Sequence, residues 1–211
     1  MEILEQIAKS LENGENERVF ELTRQAIDQN VPVKDILDDG LIAGMTVVGK
    51  RFRDRDMFLP EVLLSARAMY AGMDLLKPHF LEAGMSSVGK VVIGTVHGDL
   101  HDIGKNLVGI MLKGAGYEIV DLGKDVEAVK FVEAAKKEGA TAIAMSALLT
   151  TTMPVMQEVI GLLDKEGLKD SVKVIVGGAP VSQDYAREIG ADAYGYDAAK
   201  AVDVLKQLME S

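Results

Sequence analysis

Residues 94–106 read GTVHGDLHDIGKN and directly follow the apolar run Lys90-Val-Val-Ile93. The segment contains His97 and His101, two of the three histidines of the chain, together with two aspartates and three glycines. A short apolar run rich in β-branched residues predicts a buried strand, so both histidines fall just after the carboxyl end of that strand. Such a position raises the question of which chemistry needs a histidine among carboxylates and glycines.

Apolar, β-branched runs recur through the rest of the chain, and segments with helical spacing separate them. The predicted strands cover Val91–Val96, Tyr117–Leu122, Thr141–Ala147, Val172–Val176 and, more weakly, Asp192–Tyr196. The predicted helices cover Ile103–Gly114, Val126–Glu138, Pro154–Glu166, Ser182–Ile189 and Ala198–Met209. Strict alternation of strand and helix predicts an α/β domain, a Rossmann-like, doubly wound parallel sheet of five strands with helices on both faces.

The first 83 residues or so carry apolar residues at helical spacing instead. Four amphipathic segments are marked by Ile3, Ile7 and Leu11; by Val19, Leu22, Ala26 and Ile27; by Leu41, Met45, Val48 and Phe52; and by the stretch from Met57-Phe-Leu-Pro60 to Pro78. These segments predict a small four-helix bundle. We therefore predict a helical domain over residues 1–86 and a Rossmann-like domain over residues 87–211, joined by a linker at Leu81–Val88.

Composition limits the classes of partner. The chain has 211 residues, 48% hydrophobic and 27% charged, as in an ordinary globular protein. Its formal net charge of −10 argues against nucleic acid or an anionic membrane as the main partner, because both require basic patches. No run approaches the roughly 20 apolar residues of a membrane span, and no basic-then-apolar leader opens the sequence, so we expect a cytoplasmic protein.

The chain contains no cysteine. This excludes disulfides, cysteine nucleophiles, thiolate zinc sites and cysteine-bound iron–sulfur clusters within it. Any redox chemistry would therefore need electrons from a bound cofactor or from a partner.

Three loops are predicted to meet at one edge of the sheet. Besides the opening stretch, they are Ser146-Ala-Leu-Leu-Thr-Thr-Thr152 after the third strand and Gly177-Gly-Ala-Pro180 after the fourth. Ligands of open parallel sheets bind outside the carboxyl ends of the strands. Asp99 and His101, a run of hydroxyls and a pair of glycines are thus predicted to lie around one crevice.

Each of these features alone has an ordinary structural interpretation, as a surface histidine, a helix cap or a tight turn. A dinucleotide site fails on spacing, because Gly94, Gly98 and Gly104 are too far apart for G-x-G-x-x-G. A phosphate loop fails because Gly104-Lys105 is followed by Asn106, where serine or threonine is required.

A zinc site is a further possibility within the same loop. His97, Asp99 and His101 are all residue types that bind zinc. Three ligands from one short loop would need a strained arrangement, which makes this the less favoured interpretation.

The combination of motifs is more specific than any one of them. Asp99-Leu-His101-Asp-Ile-Gly104, Ser146-Ala-Leu148 and Gly177-Gly178 follow one another along the chain. Together they resemble the signature D-x-H-x-x-G … S-x-L … G-G of cobalamin-binding proteins. Lys50-Arg-Phe52 and Met57-Phe-Leu-Pro60 also resemble the helical cap that covers the corrin in methyl-transferring members. The whole chain is similar to the stand-alone corrinoid proteins of methyltransferase systems and to the cobalamin-binding module of methionine synthase.

This resemblance implies a cobalt-binding role for His101, the predicted metal ligand. In the family, the histidine replaces the cofactor's own benzimidazole as lower axial ligand, the base-off/His-on mode, in cobalamin or a related corrinoid. Imidazole is a suitable nitrogen donor for cobalt. Asp99 would hold the second ring nitrogen, and Thr152 would supply the hydroxyl of the relay, where the family often has serine.

The other residues that match binding positions form two sets. Those expected to line the slot for the nucleotide tail or the rim of the corrin are Gly98, Gly104, Ser146, Leu148, Thr150, Gly177, Gly178 and Ala179. Those expected to face the upper cobalt ligand from the helical cap are Phe52, Leu59 and Val62. The resemblance assigns no chemistry to His97, nor to Asp102, Lys105 and Asn106 beyond the start of a helix.

The implied function is that of a methyl carrier. Such proteins accept a methyl group on cobalt(I) from a substrate-specific methyltransferase. They deliver it from methyl-cobalt(III) to a second methyltransferase that acts on coenzyme M or tetrahydrofolate. A reductive activase would be a third partner, because cobalt(I) is easily oxidised. The chain has no obvious substrate site, so it would be a subunit that is not catalytic alone.

Several properties remain open at this point. The sequence does not select among methanol, methylamines, betaines and aromatic methyl ethers as methyl donor, nor between the acceptors, the lower bases of the corrinoid or the oligomeric states. Two alternatives are a cobalamin-dependent sensor or regulator and the cobalamin-binding subunit of an adenosylcobalamin mutase. Regulators usually carry a DNA-binding module, for which this acidic chain has no room, and mutase subunits would lack the Phe-Leu-Pro cap.

Overall fold

The computed structural model describes residues 2–80 and 88–210. The chain divides into two compact units, Met1–Ser87 with Gly114–Gly116, and Val88–Lys113 with Tyr117–Ser211. Residues 81–87 of the predicted linker lie outside the described residues. The predicted domain boundary between residues 86 and 87 therefore stays a prediction.

The first unit is helical. Its elements are α1 (Glu2–Glu12), α2 (Asn16–Asp28), α3 (Val33–Asp35), a π-helix (Ile36–Ile42), α4 (Ala43–Arg53) and α5 (Leu59–Phe80). Each of the four amphipathic segments predicted from the sequence is helical. The third segment begins earlier than its apolar stripe, at Val33, and α5 continues two residues past Pro78.

Apolar positions at helical spacing face the interior of this unit, as expected for amphipathic helices. Ile7, Leu11, Val19, Leu41 and Leu76 are fully buried. Burial of one such side chain contributes about 1.5–3 kcal/mol, so this shared interior is the main source of stability for helices of this length.

The second unit alternates strand and helix. Its elements are β1 (Lys90–Thr95), α6 (Ile103–Gly114), β2 (Glu118–Asp121), α7 (Ala128–Glu138), β3 (Ala142–Ser146), α8 (Pro154–Lys165), β4 (Lys173–Gly177), α9 (Gln183–Glu188), β5 (Ala193–Gly195) and α10 (Ala198–Glu210). In the part of the chain that the structure describes, five parallel strands form one sheet in the order β2-β1-β3-β4-β5. The predicted α/β fold with a five-stranded parallel sheet is confirmed.

The element bounds agree with the predicted ones within a few residues. The clearest difference is at α7, which begins at Ala128 although Val126 was predicted to be helical. Val126 instead pairs with Val96 in an isolated parallel bridge. That pairing keeps the backbone extended for two residues longer than the helical pattern indicates.

The strand order defines where a ligand can bind. The chain passes from β1 outward to β2 and then returns to the other side of β1 as β3, so the strand order reverses between β1 and β3. In sheets of this topology the crevice at the reversal is the usual ligand site. The register aligns Thr95 with Ser146, Ser146 with Gly177 and Gly177 with Gly195, so the four strands end at one level.

A buried core lies between the sheet and the helices α7 and α8. Phe131 of α7, Ile143 of β3, and Met156 and Leu163 of α8 are fully buried. The loops at the strand ends therefore extend from a densely packed support.

Among the helices of the described residues, none combines the length and the apolar character that a membrane crossing requires.

Candidate functional site

A histidine–aspartate pair lies directly after β1. Nδ1 of His101 is 2.7 Å from Oδ1 of Asp99, which also accepts the backbone N–H of His101 at 3.1 Å. An ionised carboxylate can only accept hydrogen bonds, so Nδ1 must carry the donated proton. In a neutral ring this places the free lone pair on Nε2. The His101 side chain is 53% exposed and the Asp99 side chain is fully buried, so a buried carboxylate orients a half-exposed imidazole ring.

The second carboxylate oxygen of Asp99 is bound by the loop after β3. Oδ2 accepts the backbone N–H of Leu148 at 2.6 Å and of Leu149 at 3.1 Å. It also lies 3.1 Å from the hydroxyl of Thr152, which shares its single proton with the carbonyl of Leu149 at 2.9 Å. The two loops on either side of the β1–β3 reversal are thus joined through one carboxylate.

These contacts explain the ionisation of Asp99. Burial alone would raise the pKa of its carboxyl group, because it disfavours the charged form. The hydrogen bonds from the Leu148 amide, the His101 ring, and the His101 and Leu149 amides outweigh burial and hold the pKa of Asp99 well below its usual range. Asp99 is therefore negatively charged at neutral pH, in contact with the imidazole.

This ionisation predicts how stability depends on pH. The pKa of Asp99 is lower in the folded protein than the unfolded value of about 3.9. Its contribution to the free energy of unfolding is therefore present above about pH 4 and is lost as pH falls towards the folded pKa. We expect the difference in unfolding free energy between the native protein and Asp99→Asn to be constant above about pH 5 and to narrow below about pH 4. Urea denaturation of both proteins from pH 3 to 8 measures it, and a difference that widens on acidification would contradict the assignment.

Thr95 is a site residue that sequence reasoning missed. Its side chain is fully buried at the end of β1, and its hydroxyl donates to the carbonyl of His101 at 2.9 Å. A threonine as the last residue of a buried strand was the available signal, because its hydroxyl needs a partner there. Thr95 fixes the backbone of His101 while Asp99 fixes its ring.

Large apolar side chains are exposed around the pair. Leu100 and Ile103, on either side of His101 in sequence, are 63% and 72% exposed. Leu148 and Leu149, whose amides bind Asp99, are about two-fifths exposed. Exposed apolar residues that cluster beside a polar group mark a binding surface.

Two glycines have conformations that other residues rarely adopt. Gly98 has φ of +82°. Gly178 has φ of +126°, and a Cβ atom there would lie 1.8 Å from the carbonyl oxygen of Ala147. Gly178 therefore allows the loops after β3 and β4 to approach closely. Both positions are required by the fold itself, whether or not they also face a ligand.

The other residues predicted to line the slot are distributed along the same edge. Ser146 and Gly177 end neighbouring strands and are paired in register. Thr150 and Ala179 are exposed in the loops after β3 and β4. Gly104 is exposed in the first turn of α6. Their role in holding a ligand stays a prediction.

The predicted cap residues lie in the helical unit. Phe52 is in the last turn of α4 and Leu59 opens α5, and both are partly buried. Val62 is fully buried, whereas the neighbouring Phe58 is 70% exposed. A role for the three predicted residues above cobalt likewise stays a prediction.

The structure does not support the zinc interpretation. His97 and His101 bind different aspartates, since Nδ1 of His97 is 2.8 Å from Oδ1 of Asp125. Within residues 2–80 and 88–210 there is no group of three histidine, cysteine, aspartate or glutamate residues suited to a metal ion.

Comparison with known families identifies the class of protein. Two family models described as B12 binding domains match the chain, one over residues 89–203 and one over residues 3–77. The first covers the β1–α10 unit that contains Asp99 and His101. The chain therefore belongs to the B12-binding family.

Relatives of known type narrow the class. The chain is 43% identical over 212 residues to a corrinoid protein of Desulfitobacterium hafniense, covering 99% of this chain and 98% of that protein. It is 44% identical over 209 residues to a dimethylamine corrinoid protein of Methanosarcina acetivorans, with the same coverage of 99% and 98%. Among solved structures, the methanol:cobalamin methyltransferase complex of Methanosarcina barkeri contains a chain with a TM-score of 0.88 and 36% identity, over 100% of this chain and 80% of that one.

Proposed function

We propose that this protein is the methyl-carrying corrinoid subunit of a methyltransferase system. The observation that carries the proposal is the half-exposed imidazole of His101, oriented by the buried carboxylate of Asp99 through the 2.7 Å contact at Nδ1. The full-length similarity to corrinoid proteins of methylamine and methanol systems supports it. It favours this role over a regulator or a mutase subunit.

When bound, the corrinoid supplies a cobalt ion that accepts and releases a methyl group. His101 would bind that ion from below through Nε2, in the base-off/His-on mode. Asp99 keeps the proton on Nδ1, so the imidazole always presents the same nitrogen.

The surrounding residues would bind and shield the cofactor. The exposed apolar side chains of Leu100, Ile103 and Leu148 offer a surface for the corrin ring. The glycine-bearing loops after β1 and β4 would let a nucleotide tail approach the backbone. Phe52, Leu59 and Val62 are proposed to exclude water from the upper face, as in the capped members of the family.

The proposed partners follow from this role. One methyltransferase would load the methyl group and a second would remove it, and a reductive activase would restore the reactive cofactor. The names of the relatives connect the family to dimethylamine, trimethylamine and methanol systems, without selecting a donor for this chain. We further propose that the protein acts in the cytoplasm.

Reconstitution tests the proposal directly. Purified protein is mixed with hydroxocobalamin, freed of unbound pigment, and then treated with a strong reductant and methyl iodide. We expect a stoichiometric red-orange complex that changes to a light-sensitive methylated form. A colourless protein after this treatment would refute the proposal, and pull-down of a methyltransferase from the source cells would identify the substrate.

Gly104 allows a sharper test of where the cofactor lies. Among the described residues, a Cβ atom on Gly104 would meet nothing within 4 Å beyond its own helical turn. Gly104→Ala should therefore be neutral or stabilising in the free protein, by up to about 1 kcal/mol. If the slot for the tail passes this position, the methyl group meets the cofactor and affinity for hydroxocobalamin should fall about tenfold.

Gly161→Ala is the matched control. Gly161 also lies in a helix, α8, is exposed, and has nothing described within 4 Å of an added Cβ. Fluorescence titration with hydroxocobalamin should give wild-type affinity for Gly161→Ala and weaker binding for Gly104→Ala. Equal affinities of the two variants for hydroxocobalamin would show that Gly104 does not contact the cofactor.

A further inference from the structure

We infer that Asp125, to which neither the sequence motifs nor the comparisons assign a role, is a positioning residue for the Asp99–His101 pair. The inference rests on the proposed function for its consequence in cofactor binding. That Asp125 fixes the loop after β1 is inferred from contacts within the protein alone and does not depend on the cofactor. Asp125 lies in the loop between β2 and α7 and acts on three consecutive residues of the neighbouring loop.

The contacts of Asp125 close around residues 97–99. Its Oδ1 accepts the backbone N–H of Gly98 at 2.7 Å and lies 2.8 Å from Nδ1 of His97. Its own backbone N–H donates to the carbonyl of Asp99 at 3.1 Å. Asp125 therefore holds the His97–Gly98 peptide group through its N–H and the Asp99–Leu100 peptide group through its carbonyl.

Asp125 is itself held in place by the sheet. The backbone N–H of Thr95 donates to the carbonyl of Gly123 at 2.9 Å, and the N–H of Val126 donates to the carbonyl of Thr95 at 3.0 Å. Between these two anchors Asp125 has φ of +58°, a conformation that only a few per cent of residues other than glycine adopt. Aspartate is one of the few residue types other than glycine that adopt this conformation readily, so the backbone here is compatible with a carboxylate side chain.

The contact with Gly98 explains why the loop requires fixing. Gly98 has φ of +82° and precedes Asp99, so rotation at Gly98 would displace the carboxylate that orients His101. A charged acceptor 2.7 Å from the Gly98 amide restricts that rotation. His97 is a second donor to the same oxygen, through Nδ1. Its side chain is 59% exposed, so it contributes less than the backbone contacts.

Two substitutions distinguish the effect of the Asp125 carboxylate from the effect of its backbone conformation. Asp125→Gly accepts φ of +58° without strain and keeps the N–H to Asp99, but it removes the side-chain acceptor. Asp125→Asn keeps an oxygen that can accept from Gly98. Asn30→Gly is the matched control. Asn30 has φ of +57° in the helical unit, and glycine at that position adds similar conformational freedom to the unfolded chain.

Hydrogen exchange of the cofactor-free protein is the first measurement. The amide of Gly98 reports on its contact with Asp125, and the amide of His101 reports on its contact with Asp99. In Asp125→Gly both amides should exchange about tenfold faster, as expected for the loss of one hydrogen bond to a charged group. In Asp125→Asn and Asn30→Gly they should stay within about twofold of wild type. Unchanged exchange of His101 in Asp125→Gly would overturn the inference.

Titration with hydroxocobalamin is the second measurement. Asp125→Gly should bind about tenfold more weakly and show a larger base-off fraction in its absorption spectrum, with recovery in Asp125→Asn. A wild-type affinity and spectrum in Asp125→Gly would overturn the effect on the cofactor. If the native protein itself fails to bind hydroxocobalamin, the proposed function fails, whereas the exchange measurement still decides whether Asp125 positions the loop.

Discussion

Replacement of His101 by alanine is expected to abolish axial coordination of the cofactor by the protein. His101 is the half-exposed ring at the β1–β3 reversal whose Nε2 is left free by the contact of Nδ1 with Asp99. No other histidine of the described loop is held by the same carboxylate, because His97 binds Asp125. The absorption spectrum of His101→Ala with hydroxocobalamin should be that of a base-off corrinoid, and affinity should fall by at least about tenfold.

Two controls make this result specific. His97→Ala removes the neighbouring histidine and should keep the spectrum of the native complex. Free imidazole added to His101→Ala should restore nitrogen coordination, because the substitution leaves a space beside Asp99. A spectrum of His101→Ala identical to that of the native complex would show that another group binds the cobalt.

Asp99→Asn is expected to have the largest effect on stability. The fully buried carboxylate accepts hydrogen bonds from two amides of the β3 loop, a hydroxyl and the His101 ring. An amide group has only one oxygen, so its NH₂ group must face at least one N–H donor that then has no partner. Breaking a buried charged contact of this kind should lower the free energy of unfolding by about 3 kcal/mol or more near neutral pH. Urea denaturation of the cofactor-free protein measures the change.

Thr152 provides the graded comparison. Thr152→Val removes one of the donors to Asp99 and should cost about 1 kcal/mol, whereas Thr152→Ser keeps the hydroxyl and should cost less. The order of destabilisation should therefore be Asp99→Asn, then Thr152→Val, then Thr152→Ser. A loss smaller than about 1 kcal/mol for Asp99→Asn would mean that the carboxylate is not the connection between the two loops.

Much of this architecture was predictable because it depends on short-range patterns. Strand–helix alternation after Lys90 and helical spacing before it specify which segments form strands and helices, and each bound of the sheet strands agrees within a few residues. Asp99 and His101 are two residues apart, so their contact needs only a local turn. The resemblance to the cobalamin signature could therefore indicate both residues before any tertiary structure was known.

Other features depend on which strands become neighbours. The amide of Leu148 reaches Asp99 across 49 positions of sequence, and the side chain of Asp125 reaches Gly98 across 27. Alternation predicts a parallel sheet, but the order β2-β1-β3-β4-β5 decides that the loops after β2 and β3 lie on either side of the loop after β1. The hydrogen bonds from the Leu148 and Leu149 amides to Asp99 cannot be predicted from a local motif, and neither can the role inferred for Asp125.

The sequence by itself determined which segments are strands or helices, the parallel sheet and the histidine proposed to bind cobalt. The spacing of apolar residues and the cobalamin-like motif can both be recognised within a few neighbouring residues. Only the tertiary structure decided how the His101 pair is held. Hydrogen bonds between distant loops depend on strand order and register, which place Thr95, Ser146 and Gly177 at one level. A carboxylate can be buried and ionised only where such packing delivers enough donors to replace water, and no single segment of the chain contains them.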